Sequence, residues 1–162
     1  MKNKWMFVLV AATLSFSSCS KKEQVTGDGS SLPSAADADT NAMGDSDSGK
    51  AMGLQTIHFG YDAYLLDNEA KSILKGNAQV MKDKPSLKIQ IEGHCDQRGG
   101  IQYNLGLGEK RANAVKKFLV DQGVAANRIS TISFGKERPV AQGETEEAYA
   151  QNRRANFVIT SR

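Results

Sequence analysis

The sequence predicts one β-sheet covered by helices, an α+β or α/β sandwich of order β-α-β-α-β-(α)-β, over residues 54–162. Three observations carry this. Short alternating apolar runs recur along the stretch, longer runs with an apolar stripe at helical spacing lie between them, and turn-forming residues stand at the joints. Strands that alternate with helices favour a single sheet with helices packed on it.

Thr56-Ile57-His58-Phe59 alternates and forms the first strand, broken by Gly60. Asp67 is placed to cap a helix whose stripe is Ala70, Ile73, Leu74 and Met81, and which ends before Pro85. Leu87, Ile89 and Ile91 alternate with Lys88, Gln90 and Glu92 in a half-buried second strand. After the Gly99-Gly100 loop, Leu107, Val115, Phe118 and Leu119 mark a second amphipathic helix, with Gly123 at its C-cap. Ile129 to Phe134 is the third strand and Gly135 to Pro139 a turn. Glu144 to Gln151 is a short helix with acidic residues in its first turn, where the macrodipole favours them, and Ala155 to Thr160 is the last strand.

Two unlike regions precede this domain. In residues 1–18, Lys2 and Lys4 stand before a mostly apolar run from Trp5 to Phe16, too short for a spanning helix, which needs roughly 20 residues. Ser17 and Ser18 then lead into Cys19; this pattern predicts an export signal. Small residues before a cysteine resemble the bacterial lipobox, in which the cysteine becomes the acylated N-terminus; Phe16, where leucine is usual, departs from it. Ser20, rather than aspartate, resembles outer-membrane sorting. Residues 19–53 then read as a lipidated flexible tether. Gly, Ser, Ala, Asp and Thr dominate there, and the stretch offers too little apolar surface to offset its chain entropy.

Composition excludes several classes. At 162 residues, 40% hydrophobic and 24% charged, the chain suits one domain and is too polar for a polytopic membrane protein. Two cysteines exclude a disulfide scaffold. A net charge of +3, with basic pairs dispersed and no interleaved aromatics, gives no case for nucleic acid.

The densest polar stretch is Glu92 to Gly100, at the end of the second strand, where ligand crevices of α/β sheets form. Asp96 is placed there to accept hydrogen bonds. Arg111 is centred on the apolar stripe of the second helix: at about 100° per residue, Leu107, Val115 and Phe118 all fall within about 40° of it. A charge in that position is costly unless paired, so Arg111 either bridges an internal acid or waits at a pocket edge for an external anion. Together the acid and the arginine match a zwitterionic amino-acid head group, Asp96 for the ammonium and Arg111 for the carboxylate. His94-Cys95 suggests a nucleophile beside a base, but neighbours on a strand point to opposite faces. His58, His94 and Asp96 lack the spacing of a zinc motif. Cys95 reads as a small buried free thiol.

Glu92-Gly93-His94-Cys95-Asp96-Gln97-Arg98-Gly99, then Tyr103-Asn104-Leu105, Leu107-Gly108-Glu109-Lys110-Arg111-Ala112-Asn113-Ala114-Val115, Ser133-Phe134-Gly135-Lys136-Glu137-Arg138-Pro139 and Asn152-Arg153-Arg154-Ala155 resemble the OmpA-like family and, within it, the peptidoglycan-associated lipoproteins of Gram-negative bacteria. The resemblance runs from about Ile57 to Ile159. It implies a four-stranded mixed sheet, no catalysis and no cofactor. It also implies a periplasmic domain that binds peptidoglycan non-covalently through the diaminopimelate of the stem peptide. The family's acid, arginine and asparagine fall on Asp96, Arg111 and Asn104. The loop Phe59-Gly60-Tyr61 contributes through backbone groups, with Gly60 where the family commonly has aspartate. Cys95 and Gly106 replace the usual Ala or Thr and Ser. The implied setting is the outer membrane, held through acylated Cys19, in a Tol-Pal system serving envelope integrity and cell division, with TolB and other Tol or outer-membrane proteins as partners. The alternative is an amidase-like enzyme using the same pocket, which needs a nucleophile or metal that the sequence does not offer.

Overall fold

The computed structural model describes residues 43–162. The export segment 1–18, Cys19 and tether residues 20–42 lie outside the described residues. Eight elements follow: β1 (Ile57–His58), α1 (Asn68–Asp83), β2 (Lys88–His94), α2 (Ile101–Asp121), a 3-10 turn (Ala126–Arg128), β3 (Ile129–Gly135), α3 (Glu146–Asn152) and β4 (Arg154–Ser161). The strands form one mixed sheet in the order β1-β4-β2-β3. β4 runs antiparallel to both β1 and β2, and β2 pairs parallel with β3 through the crossover helix α2. No helix among the described residues is long and apolar enough to cross a membrane.

Local chemistry sets the element ends. Asp67 caps α1 by accepting the Ala70 N–H at 2.8 Å. α2 closes with the Gly123 N–H on Val120 O and the Val124 N–H on Leu119 O, the paired bonds of a Schellman motif, with Gly123 at φ 93°. Thr145 caps α3, so that helix starts two residues later than its acidic run suggests. α2 starts well before its apolar stripe, because its first turn is exposed at Ile101 and Tyr103 and carries no such signal.

The two sheet faces differ. On one, Leu74, Ala78 and Met81 of α1 and Ala112, Val115 and Leu119 of α2 close over Ile89, Ile91, Phe157 and Ile159, all buried. The other face carries buried polar groups: Glu92, His94, Arg154 and Asn156. The Arg138 guanidinium lies 3.9 Å from the centre of the Phe134 ring, which itself stacks on His94.

This polar face corrects the boundary of the tether. Residues 43–53, assigned by composition to flexible chain, are docked on the domain. The Met43 N–H donates to Ile159 O, the Ile159 N–H to Gly44 O and the Ser46 N–H to Phe157 O, which lengthens the sheet edge beside β4. Asn156 Oδ1 accepts from Ser46 N at 3.2 Å, Ser46 Oγ at 2.8 Å and Asp47 N at 3.2 Å. Arg154 donates to Asp47 at 2.7 Å, and Ala51 is buried in the core. The arm is held by backbone bonds to β4, by Asn156, Arg154 and Thr56, and by burial of Ala51, so its polar composition is no obstacle to order. Asn156→Ala should cost about 0.5–1.5 kcal/mol, the ordinary worth of a hydrogen bond, since it removes the acceptor these part-buried donors share. Chemical denaturation would measure the loss, and hydrogen exchange should show faster amide exchange at Ser46 and Asp47.

His94 generates a second expectation. Its ring is 1% exposed and neither nitrogen has a hydrogen-bond partner among the described residues, although Nε2 lies 3.4 Å from Glu92 Oε2. Burial pulls its pKa below the ordinary histidine value, with Arg154 adding to the shift and Glu92 and Asp47 opposing it. Below about pH 6.5 the unfolded chain takes up a proton that the folded ring refuses, so stability falls as the pH drops from there. His94→Phe, which keeps the stack on Phe134, should flatten the decline in unfolding free energy between pH 7 and 5. An unchanged slope would assign the decline to other groups.

Candidate ligand-binding site

The turn after β1, the end of β2 and the first turns of α2 converge. Gly93 and Gly108 govern how closely helix and strand approach: a Cβ on either would fall inside van der Waals contact with the other's backbone. One turn beyond Gly108, Arg111 reaches the carbonyl that ends β2.

Arg111 is fully buried. Its Nε donates to Ala63 O at 2.8 Å, Nη1 to His94 O at 2.8 Å and to Cys95 Sγ at 3.4 Å, and Nη2 to Gly60 O at 3.2 Å. The Phe59 ring centre lies 5.1 Å from the guanidinium carbon. These bonds use four of the five N–H donors of a guanidinium and leave one on Nη2. Neither arrangement expected from the helical stripe is found in full. Arg111 does not face water, and among the described residues no carboxylate lies within ion-pair distance of it. Carbonyl dipoles solvate the charge instead. Burial draws its pKa down, and the neighbouring Cys95 and Asp96 oppose that.

Asp96, 4% exposed, is fully engaged. Arg98 holds it by two side-chain bonds, Nη2 to Oδ2 at 2.6 Å and Nε to Oδ1 at 3.2 Å, and by its own N–H at 3.1 Å; Arg153 Nη1 adds a contact at 3.4 Å. Burial alone would push this carboxyl up, but the bonds from Arg98 and Arg153 outweigh it and hold the pKa below its ordinary value. Arg98 is clamped between Tyr61 and Tyr149, 4.2 Å from each ring centre. Arg153 also donates to Phe59 O at 3.0 Å and pairs with Glu146 at 2.8 Å.

Of the residues singled out in the sequence, Tyr61, Asp96, Asn104 and Arg111 line one cavity of about 250 Å³. Asn104 donates through Nδ2 to Arg98 O at 2.8 Å and Gly100 O at 3.2 Å, fixing the loop below the cavity. Phe59 and Gly60 do not line it. The Phe59 N–H is spent on Arg153 O, and the Phe59 and Gly60 carbonyls receive Arg153 and Arg111, so these groups position arginines. The cavity also includes Asp62 and Tyr103, joined by a hydrogen bond from the Tyr103 hydroxyl, and Arg98. Asp62 closes the Phe59-Gly60-Tyr61-Asp62 loop that the family resemblance points to; Tyr103 and Arg98 do not stand out as site residues in the sequence, the one signal for Arg98 being its place two residues after the acid.

Cys95 is a buried free thiol whose Sγ contacts Asn104 O and Arg111, and burial raises its pKa. The His94 ring stacks on Phe134, away from it, so the two do not form a dyad. His58 faces Ala150 O, so it does not join His94 and Asp96.

A model of the OmpA family matches residues 58–153. The chain is 43% identical over 100 residues to the peptidoglycan-associated lipoprotein of Pasteurella multocida, covering 62% of this chain and 67% of that protein. It is 38% identical over 158 residues to the peptidoglycan-associated lipoprotein of Rhizobium meliloti, covering 98% of this chain and 88% of that one. The crystal structure of the peptidoglycan-associated lipoprotein from Burkholderia pseudomallei superposes with a TM-score of 0.62 at 41% identity, over 64% of this chain and 88% of that one. With the mixed four-stranded sheet and the matched stretch on the same residues, the chain belongs to the OmpA family, among its peptidoglycan-associated lipoproteins.

Proposed function

We propose that this protein is an outer-membrane lipoprotein whose domain binds peptidoglycan non-covalently through the diaminopimelate of the stem peptide, with Asp96, Arg111, Asn104 and Tyr61 at the site. The observation that carries this is a buried guanidinium with no paired acid among the described residues, on the wall of the same small cavity as a buried carboxylate. Such a cavity favours one negative group beside one positive group, which is the zwitterionic end of a diamino acid. The names of the relatives support peptidoglycan as the polymer. Acylation of Cys19 would hold the chain on the membrane, and the family resemblance supports TolB as a partner in a Tol-Pal system acting in envelope integrity and cell division.

Asp96→Asn keeps the shape of the side chain and removes its charge. It should reduce binding to isolated sacculi by about ten- to a hundredfold, the worth of one charge-assisted contact. A variant that melts normally and cosediments with sacculi like wild type would disprove the site. Arg111→Ala tests folding instead: it takes a donor from the carbonyls of His94 and Ala63, while Gly60 O keeps the Ala63 N–H, and the buried His94 carbonyl alone is worth about 1–3 kcal/mol, so the melting temperature should fall even without ligand.

The anchor is tested separately. Cys19→Ala should move the protein from the membrane fraction to the soluble periplasm with an unchanged thermal transition, since acyl chains contribute about 0.8 kcal/mol per buried CH₂ to membrane binding and nothing to the domain core. Unaltered membrane partition would refute lipid anchoring.

A further inference from the structure

We infer that Arg98 is a specificity-determining residue of this site. Its guanidinium occupies the ammonium position on Asp96, and only a ligand carrying a carboxylate beside its ammonium can take Asp96 from it. This rests on the diaminopimelate reading and deepens it.

Three arginines meet at the site, and they differ in access. The Arg111 residue is 0% exposed, the Arg153 side chain is 8% exposed, and the Arg98 side chain is 34% exposed. Arg111 retains a single N–H after serving three carbonyls and a thiol, so it cannot present a two-pronged donor to a ligand. Arg98 can, because its fork is already made and already holds a carboxylate at 2.6 and 3.2 Å. Tyr61 and Tyr149 stack on the two faces of the guanidinium and leave its donor edge free to exchange partners.

A lone ammonium arriving at Asp96 must displace this fork. Among the described residues, the other acid paired with this guanidinium is Glu146, at 3.5 Å, already engaged by Arg153 and 62% exposed. A ligand with a carboxylate next to its ammonium supplies the missing partner: the ammonium takes Asp96 while the carboxylate takes Arg98. The zwitterion turns one charge pair into two, whereas a plain amine only replaces one pair by another and leaves Arg98 without its carboxylate. Discrimination therefore comes from the penalty imposed on the wrong ligand as much as from attraction of the right one.

The test uses the purified full chain and two stem peptides identical except at the diamino acid. One carries meso-diaminopimelate; the other carries L-lysine, which has the side-chain ammonium without its carboxylate. Calorimetric titration of the wild type should favour the diaminopimelate peptide by about tenfold or more, the size of one charge-assisted contact. In Arg98→Gln the lysine peptide should bind more tightly than it does to wild type, and the preference should collapse. Arg98→Lys should also lose most of it, because an ammonium cannot hold a carboxylate in two places. Asp96 keeps Arg153 and the residue-98 backbone N–H in both variants, so the fold survives, and thermal unfolding checks that. Equal weakening of both peptides in Arg98→Gln would make Arg98 a structural clamp and overturn the inference, as would an unchanged preference. A wild type that binds both peptides equally would overturn it while leaving the site intact. A wild type that binds neither would remove the diaminopimelate reading itself.

Discussion

A buried cation satisfied by neutral carbonyls holds this site together. Arg111 gathers the turn after β1 through Gly60 and Ala63, the end of β2 through His94, and its own helix into one rigid corner. A carboxylate partner would have cancelled the charge. Carbonyls stabilise it without cancelling it, so the guanidinium keeps its charge on the cavity wall, with Asp62 and Asp96 lining the same cavity. One group thus serves folding and electrostatics together, and the two roles cannot be separated by truncating it.

The rest of the cavity is arranged around that asymmetry. Asp96, Arg98, Arg153 and Glu146 form a self-compensating network in which every charge has a counter-charge. Most of it sits on loops and the α3–β4 junction, clear of the core. Gly93 and Gly108 set the spacing that lets α2 deliver Arg111 to the strand end, so two residues without side chains determine where the cation lies. Behind the sheet, Glu92, His94 and Asn156 occupy a face that the helices do not cover and that the arm and the Gly135–Gly143 segment border.

Much of this is legible in the sequence, for identifiable reasons. Alternation marks β2, Asp67 marks the start of α1, and Gly123 marks the end of α2, because each depends on side chains or on a left-handed residue. The place of Arg111 on the apolar stripe announces a buried charge. What satisfies it is hidden, because backbone carbonyls carry no residue-specific signature. The arm is hidden because its composition reads as flexible chain, while the groups that hold it, Asn156, Arg154 and the β4 backbone, lie far along the sequence. Arg153 and Arg154 look like an ordinary exposed basic pair; both are buried at the start of β4, where Asp47, Asp96 and Glu146, all distant in sequence except the last, supply their partners. Phe59 and Gly60 fall where the family places ligand contacts, yet their carbonyls face inward to arginines.

The arm from Met43 to Gly53 also has a mechanical meaning. A load arriving along the chain that precedes it enters at Met43, whose N–H is bonded to Ile159 O, and reaches Ser46 on Phe157 O only afterwards. Once those bonds give way, the released segment can reach a length of roughly 35–40 Å at full stretch before tension bears on β1. The core strands and the cavity are thereby decoupled from the first increments of force. The arm acts as a strain relief of the kind that protects a cable where it joins its plug.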